Sequence, residues 1–485
     1  MLRKMTADVV VVGAGVAGCS AYYGLAKRNG SPGDGTASSF KPLLVDATGP
    51  MSLTSARGTY QYRNWWPDEG DEAMMRLVSR SIDIMDDVAS DIDLNRNGYL
   101  FVTRDLACVN ALKAQGQRNA QLGGGAFREH HELSGYNPST SVADRLDGSD
   151  LIWGQDNIAS LFPSLKHSNA LAALHVRRAG SLNPHKLAQH LLSQANAFCP
   201  QAQTLRGKMI DIHACGGRIS GITVGLPNGD KEIVDTAALV LAPGPMLQQT
   251  LHLLRAKDLV DTPALTVHHE LHARVIFDDP KQIATATSPL TFHADPVGRL
   301  QFSEAEVHAN DPLCTRSFPG GIHVRPFTDG KAMAVWTYDV NLVEPVFPLT
   351  RVLDPRYGEI CLRGLSRLFP QMASYAADPH IMATLNVDGG YYCKTPDNIP
   401  LIGRTKDGVD GLFFQAAMTG VGLMSSAAAG EVLAATVMGD IAPGKGVDDS
   451  TLPYASYAAA LSPSRFDDVT YVSSLSSGRQ TSGQM

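Results

Sequence analysis

Val9-Val-Val-Val-Gly13-Ala-Gly-Val-Ala-Gly18 decides the fold. Four valines without a polar interruption read as a strand buried on both faces, and the Gly-x-Gly-x-x-Gly that follows turns the chain straight into a helix over Val16–Arg28. Gly13 permits the tight turn, Gly15 lets the backbone approach a pyrophosphate, and Gly18 lets the helix pack close to the strand. The helix start presents unpaired N–H groups and the positive end of its dipole to an anion.

Working outward, Pro42–Val45 is a second apolar strand ending in Asp46, whose carboxylate is suited to accept both hydroxyl hydrogens of an adenosine ribose. Asp46 lies 28 residues after Gly18, beyond the spacing of about 20 usual for this carboxylate. The excess is accounted for by Asn29–Ser39, rich in Gly, Ser, Pro and Asp, which reads as an inserted surface loop. Ala238–Ala242 is another fully apolar strand, closed by Pro243-Gly244-Pro245.

The 485 residues, 44% hydrophobic and 18% charged, suit a globular chain of two or three domains. A net charge of −7 without a basic run argues against nucleic acid as a partner. No apolar run approaches the roughly 18 residues of a membrane span, and the first strand begins too early to leave room for a signal peptide. Seven scattered cysteines without a Cys-x-x-Cys pair suggest reduced thiols and a cytoplasmic setting. His268, His269 and His272 come closest to a metal cluster, but they fall in an expected strand, and no metal is expected.

Helical spacing is expected over Glu72–Asp91, Leu106–Gln121 and from Asn183-Pro184 onward, with Gly124–Asp150 read as a polar loop. From about Thr266 to Leu385 alternating strands dominate, interrupted by a helix over Arg356–Leu368. The last forty or so residues, after Gly439, read as a partly ordered tail. Late in the chain Thr395-Pro-Asp-Asn-Ile-Pro-Leu-Ile-Gly403 precedes a strand at Gly411–Gln415. A glycine-rich helix entry follows, Thr419-Gly-Val-Gly-Leu-Met424, continuing through small residues to Glu431. Its N–H groups and dipole are suited to an electron-rich ring that becomes anionic on reduction.

These pieces, with Gly180-Ser-Leu-Asn-Pro184, occur in an order that resembles the D-amino-acid oxidase, sarcosine oxidase and glycine oxidase family of FAD-dependent oxidoreductases, the DAO family, across residues 8–438. The resemblance implies an α/β fold: a discontinuous Rossmann-like FAD-binding domain of the glutathione-reductase type, with an inserted antiparallel β-rich substrate domain. The expected division is FAD-binding parts at 1–104, 166–260 and 389–440, a cap segment at 105–165, the β-rich substrate domain at 261–388 and a tail at 441–485. The same resemblance implies that Gly13, Ala14, Gly15, Val16, Ala17 and Gly18 hold the FAD pyrophosphate and that Asp46 and Ala47 meet the ribose. Ser55, Thr59, Met209, Ala242, Gly244 and Gly403 line the nucleotide, and Gly420, Val421, Gly422, Leu423 and Met424 face the flavin ring.

Thr59-Tyr-Gln-Tyr-Arg63 resembles the sarcosine oxidase segment whose arginine grips the substrate carboxylate, so Arg63 is either that anchor or a surface arginine. Its aromatic neighbours favour a pocket, and Tyr62 and Tyr392 join Arg63 as candidate catalytic residues. Two familiar cations of the family are replaced here by Met424 and Tyr392, which favours a larger or less charged amine over small free amino acids. Tyr60, Tyr62, Trp65, Trp66, Tyr391 and Tyr392 form a core or a cage for a substituted ammonium. Cys393 lies three residues from the position, Gly390, where sarcosine oxidases carry an FAD-linking cysteine, and no covalent link is expected.

The implied reaction is oxidation of a C–N bond, with hydride passing from a small-molecule amine to the flavin and electrons then to O2 or another acceptor. Two alternatives remain at this stage: an FAD-holding assembly or scaffold protein without turnover, and a tailoring flavin oxidase acting on a secondary metabolite that is not an amino acid. An aromatic hydroxylase is disfavoured because no Gly-Asp-Ala-x-His-like segment occurs.

Overall fold

Val9–Val12 pairs in parallel with Pro42–Asp46 on one side and Leu239–Leu241 on the other, and Leu239–Leu241 pairs in parallel with Leu412–Ala416. The buried valines, leucines and phenylalanines of these strands have no solvent-facing side, which is why their sequences lack the polar alternation of a half-exposed strand. Gln203–Arg206 and an antiparallel Leu401–Gly403 complete a six-stranded sheet, the core of the nucleotide half. The computed structural model describes residues 3–30, 39–302, 311–328, 330–340, 342–346, 353–441 and 455–475. The expected surface insertion at Asn29–Ser39 falls largely on 31–38, outside the described residues.

Helices Val16–Asn29 and Gly422–Val437, from opposite ends of the chain, pack on this sheet and on each other. The contact depends on missing side chains: a Cβ at Gly24 would collide with the Gly430 carbonyl, and one at Gly430 with that of Ser20. Small residues let the two backbones touch, so the helix starts reach the same end of the sheet.

The second half is a nine-stranded sheet. Its spatial order is Asn386–Lys394, His268–Asp278, Lys331–Val335, His323–Pro326, Leu290–His293, Tyr99–Thr103, Ala172–Val176, Ser149–Trp153 and Phe127–His130. Two corrections to the sequence reading follow. The sheet is mixed, since Leu290–His293 runs parallel to Tyr99–Thr103 and Phe127–His130 parallel to Ser149–Trp153. The 124–150 segment expected to be loop contributes strands, and the strands at 99–103 and 172–176 and the whole of 386–394 pair within this sheet. Phe127-Arg-Glu-His130 is short, polar and at the sheet edge, so it carries little hydrophobic pattern to read.

The expected tail holds structure among its described residues: helices Ala455–Leu461 and Val469–Leu475 flank a 3-10 turn over Pro463–Asp467. Buried Arg465 forms an ion pair of 2.6 Å with Asp397 and donates to the carbonyls of Ile399 and Pro400, clasping the loop after the 386–394 strand. Among the described residues no helix is long and apolar enough to cross a membrane.

Candidate functional site

The first cavity is a cleft of about 890 Å³ where the two helix starts converge. Gly15, Val16 and Ala17 line one side, Gly420, Gly422, Leu423 and Met424 another, with Ser55, Thr59, Ala242 and Gly244 between them. Gly13 has φ +104°, a conformation that favours glycine, and a Cβ at Gly18 would run into the Gly13 carbonyl oxygen. Both helices start without a side-chain cap and without an acidic residue in the first turn, so two positive dipole ends face one space. Asp46 closes the neighbouring strand end, its carboxylate accepting from the backbone N–H of Ala14 at 2.7 Å and of Thr48 at 2.8 Å. Gln415 also borders the cleft, its Oε1 buried without a hydrogen-bond partner among the described residues. A long cleft with a backbone cradle at one end, a second helix start at the other and an unsatisfied amide between them fits a dinucleotide with an extended ring system.

Met209 and Gly403 do not line this cleft. Met209 sits in the separate four-stranded sheet opposite Val224, and Gly403 lies on the edge strand beside Ser462 of the C-terminal clasp. Cys393 does border the cleft, and burial pushes its thiol up to about 12.

A second cavity of about 1020 Å³ adjoins the first, sharing Thr59, Tyr392, Gly420 and Met424. Arg63 and Tyr392 both line it, together with Val421. Arg63 is 6% exposed, its Nη1 donates to the Trp65 carbonyl at 3.0 Å, and its guanidinium lies 4.8 Å from the Trp66 ring centroid. Among the described residues it makes no ion pair, and burial lowers its pKa against the opposing pull of Tyr99, Asp71 and Asp68. It is a desolvated cation beside an open space.

Tyr62 is a correction. Gln61–Arg63 is a strand paired with Ala179–Ser181, so the side chain of Tyr62 points away from the face carrying Gln61 and Arg63. It is fully buried, and its hydroxyl donates to the Asn95 carbonyl at 2.6 Å. The proposed cage is likewise not assembled. Trp65 stacks on Phe101 behind the wall, Trp66 supports Arg63, and Tyr60 and Tyr391 border the first cleft. The aromatic wall of the second cavity is instead Tyr99, Phe292, His323 and Tyr392.

Glu270, His272, Thr337 and Lys394 were not foreseen here. Glu270 and His272 share one face of the 268–278 strand and Tyr392 and Lys394 one face of its antiparallel partner, with Glu270 directly opposite Tyr392. Lys394 holds the Glu270 carboxylate at 2.6 Å, and His272 Nε2 lies 3.0 Å from it. Despite burial, these donors keep the Glu270 carboxyl well below the usual carboxylate range. Burial lowers the His272 pKa, keeping the ring neutral, and it stacks on Tyr392 with 3.9 Å between centroids. The alternations His268-x-Glu270-x-His272 and Tyr392-x-Lys394 are the sequence signal that marks these same-face sets.

Comparison with known proteins gives a consistent picture. The family model described as "DAO: FAD dependent oxidoreductase" matches residues 8–436. No curated protein matches the sequence. Among solved structures, L-proline dehydrogenase from P. horikoshii superimposes with a TM-score of 0.65 at 19% identity, covering 96% of this chain and 99% of that one. Glycine oxidase from Geobacillus kaustophilus gives 0.63 at 15% identity, covering 93% and 98%, and iminodiacetate oxidase from Chelativorans sp. BNC1 gives 0.60 at 17%, covering 90% and 97%. At these identities the likeness is one of fold.

Proposed function

The chain belongs to the DAO family of FAD-dependent oxidoreductases, and from that premise we propose that it oxidises the C–N bond of an amine that also carries a carboxylate. The observation that carries this reading is Arg63, buried, without an ion pair among the described residues, and lining the same cavity as Tyr392. Burial makes a cation in that position costly, Tyr99, Asp71 and Asp68 oppose that cost without outweighing it, and a charge-assisted hydrogen bond from an arriving anion contributes about 1.5–3 kcal/mol.

FAD, when bound in the first cleft, supplies the two-electron acceptor for the hydride that leaves the carbon next to nitrogen. The residues of the chain do the rest. Arg63 fixes the carboxylate and so limits which carbon faces the shared boundary of the two cavities. Tyr99, Phe292 and Tyr392 exclude water from the body of the substrate. Tyr392, its phenol pushed up to about 12 by burial, stays protonated and offers a hydrogen-bond donor. Titratable groups near the nitrogen stay in the right form because Glu270 is held ionised and His272 neutral.

The test is anaerobic bleaching of the flavin by glycine, N-methylglycine, proline and iminodiacetate, each set beside its decarboxylated counterpart. Bleaching by at least one carboxylated amine, lost with the counterpart and slowed in Arg63→Met, is the expected result. Equal bleaching by both sets, or none by any amine, overturns the reading.

A further inference from the structure

Oxidation of an amine needs the nitrogen lone pair, yet an alkylamine with a pKa of about 8–10 enters at neutral pH as an ammonium. The second cavity holds a chain of groups placed to take that proton. Glu270, ionised and clamped by Lys394, can only accept, so His272 Nε2 must carry the imidazole hydrogen. His272 Nδ1 is then a lone pair, and the Thr337 hydroxyl, 3.1 Å away, donates to it. All three side chains line the cavity that holds Arg63. Carboxylate, imidazole and hydroxyl thus stand in line, with the hydroxyl as the outermost member. The other titratable and charged groups around this imidazole are Lys394 and Tyr392 from the adjacent strand, His268 on its own strand, and Arg63, Tyr99 and His323 in the cavity lining.

We propose that Thr337, His272 and Glu270 form a proton relay that receives the proton of the bound substrate ammonium. As the substrate N–H bond breaks, Thr337 Oγ gains that proton and passes its own to His272 Nδ1, leaving an imidazolium beside the Glu270 carboxylate. No electrons move in this step; the oxidant is the flavin of the activity proposed above, and the imidazolium later returns its proton to solvent. Thr337 is the group that touches the substrate, and His272 and Glu270 act through it. The relay rests on the reading of this cavity as an amine site, but its chemistry is separable from it, because a hydroxyl backed by such a chain is also a nucleophile.

The experiment therefore probes the hydroxyl directly. FAD-loaded full-length protein is treated with p-nitrophenyl acetate and acetylation of Thr337 is followed by peptide mass spectrometry. In that reaction Thr337 Oγ bonds the acetyl carbon, p-nitrophenolate leaves and His272 takes the hydroxyl proton. The expected result is acetylation of Thr337 that falls by about 10²-fold in His272→Gln, is absent in Thr337→Val and survives in Thr337→Ser, with FAD content unchanged in all three. With an amine that bleaches the flavin, the acid limb of the kcat/KM profile moves up toward the pKa of the free amine in His272→Gln, a shift that a structural role does not produce. No acetylation at Thr337, or an equal rate in His272→Gln, overturns the relay. Acetylation without bleaching by any amine leaves the relay standing and overturns the amine reading.

Discussion

The two cavities adjoin, yet they are built from different materials. The nucleotide cleft is made of backbone: glycine turns, helix starts and close approaches between Gly24 and Gly430, with Asp46 bonded to the Ala14 N–H at the neighbouring strand end. The second cavity is made of side chains: Arg63, Glu270, His272, Tyr392 and Lys394 from strands far apart in sequence, and Thr337 from just beyond the 331–335 strand. Backbone cradles tolerate almost no change of residue type, because the missing Cβ is what makes the shape. Side-chain cavities tolerate substitution of their members and change what they bind. A fold that keeps the first and varies the second retains one cofactor while changing its substrate.

The largest effect that sharpens this contrast is expected from Gly18→Val. The branched side chain runs into the Gly13 carbonyl, the turn opens, and FAD retained through gel filtration falls by more than about tenfold. Full FAD retention would break the claim that backbone shape makes the cleft. Next comes Arg465→Ala, which strips the cation from the buried Asp397 carboxylate and is expected to cost about 3–5 kcal/mol in denaturant unfolding. A second change, Asp397→Asn, restores part of that loss. Arg63→Met tests the side-chain cavity alone: acetate binding, read from the flavin spectrum, weakens by about 1.5–3 kcal/mol while FAD content stays unchanged.

The smallest effect is one of pH. His175 and His323, buried in the nine-stranded sheet, have pKa values lowered to about 3 and about 4 by burial. Both lie below the ordinary 6.5, so the unfolded chain takes up protons first as the pH falls, and stability declines from about pH 6.5 downward. Each histidine removes about 1 kcal/mol by pH 5.5, measurable as a lower urea midpoint. His323→Gln flattens that decline; an unchanged slope would place the acid sensitivity elsewhere.

The nucleotide half was legible in the sequence because its determinants are local. The Val9–Gly18 run, Asp46 and the Gly420–Met424 entry each declare themselves within a dozen residues. The contact of Gly24 with Gly430 was not legible, since neither glycine marks a turn and only the packed helices reveal their purpose. In the second cavity, Arg63 was singled out by its segment and lines the wall, while Tyr62 was misread because a strand of three residues is too short to display its alternation. Glu270 and Lys394 meet only through the antiparallel register of strands 268–278 and 386–394, a pairing that spans more than a hundred residues. The C-terminal clasp was read as a tail because its helices are short and lie in a stretch rich in small and polar residues, although Tyr457, Leu461 and Phe466 are buried and Arg465 pairs with Asp397.

The account depends most on the meeting of the two helix starts around a single flavin. A crystal structure of the FAD-loaded protein measures this directly. The pyrophosphate is predicted beside Gly13–Gly18, the ring beside Gly420–Met424, and the ring edge open to the cavity of Arg63 and Tyr392. Density for FAD anywhere else, or a ring walled off from Arg63, would contradict it.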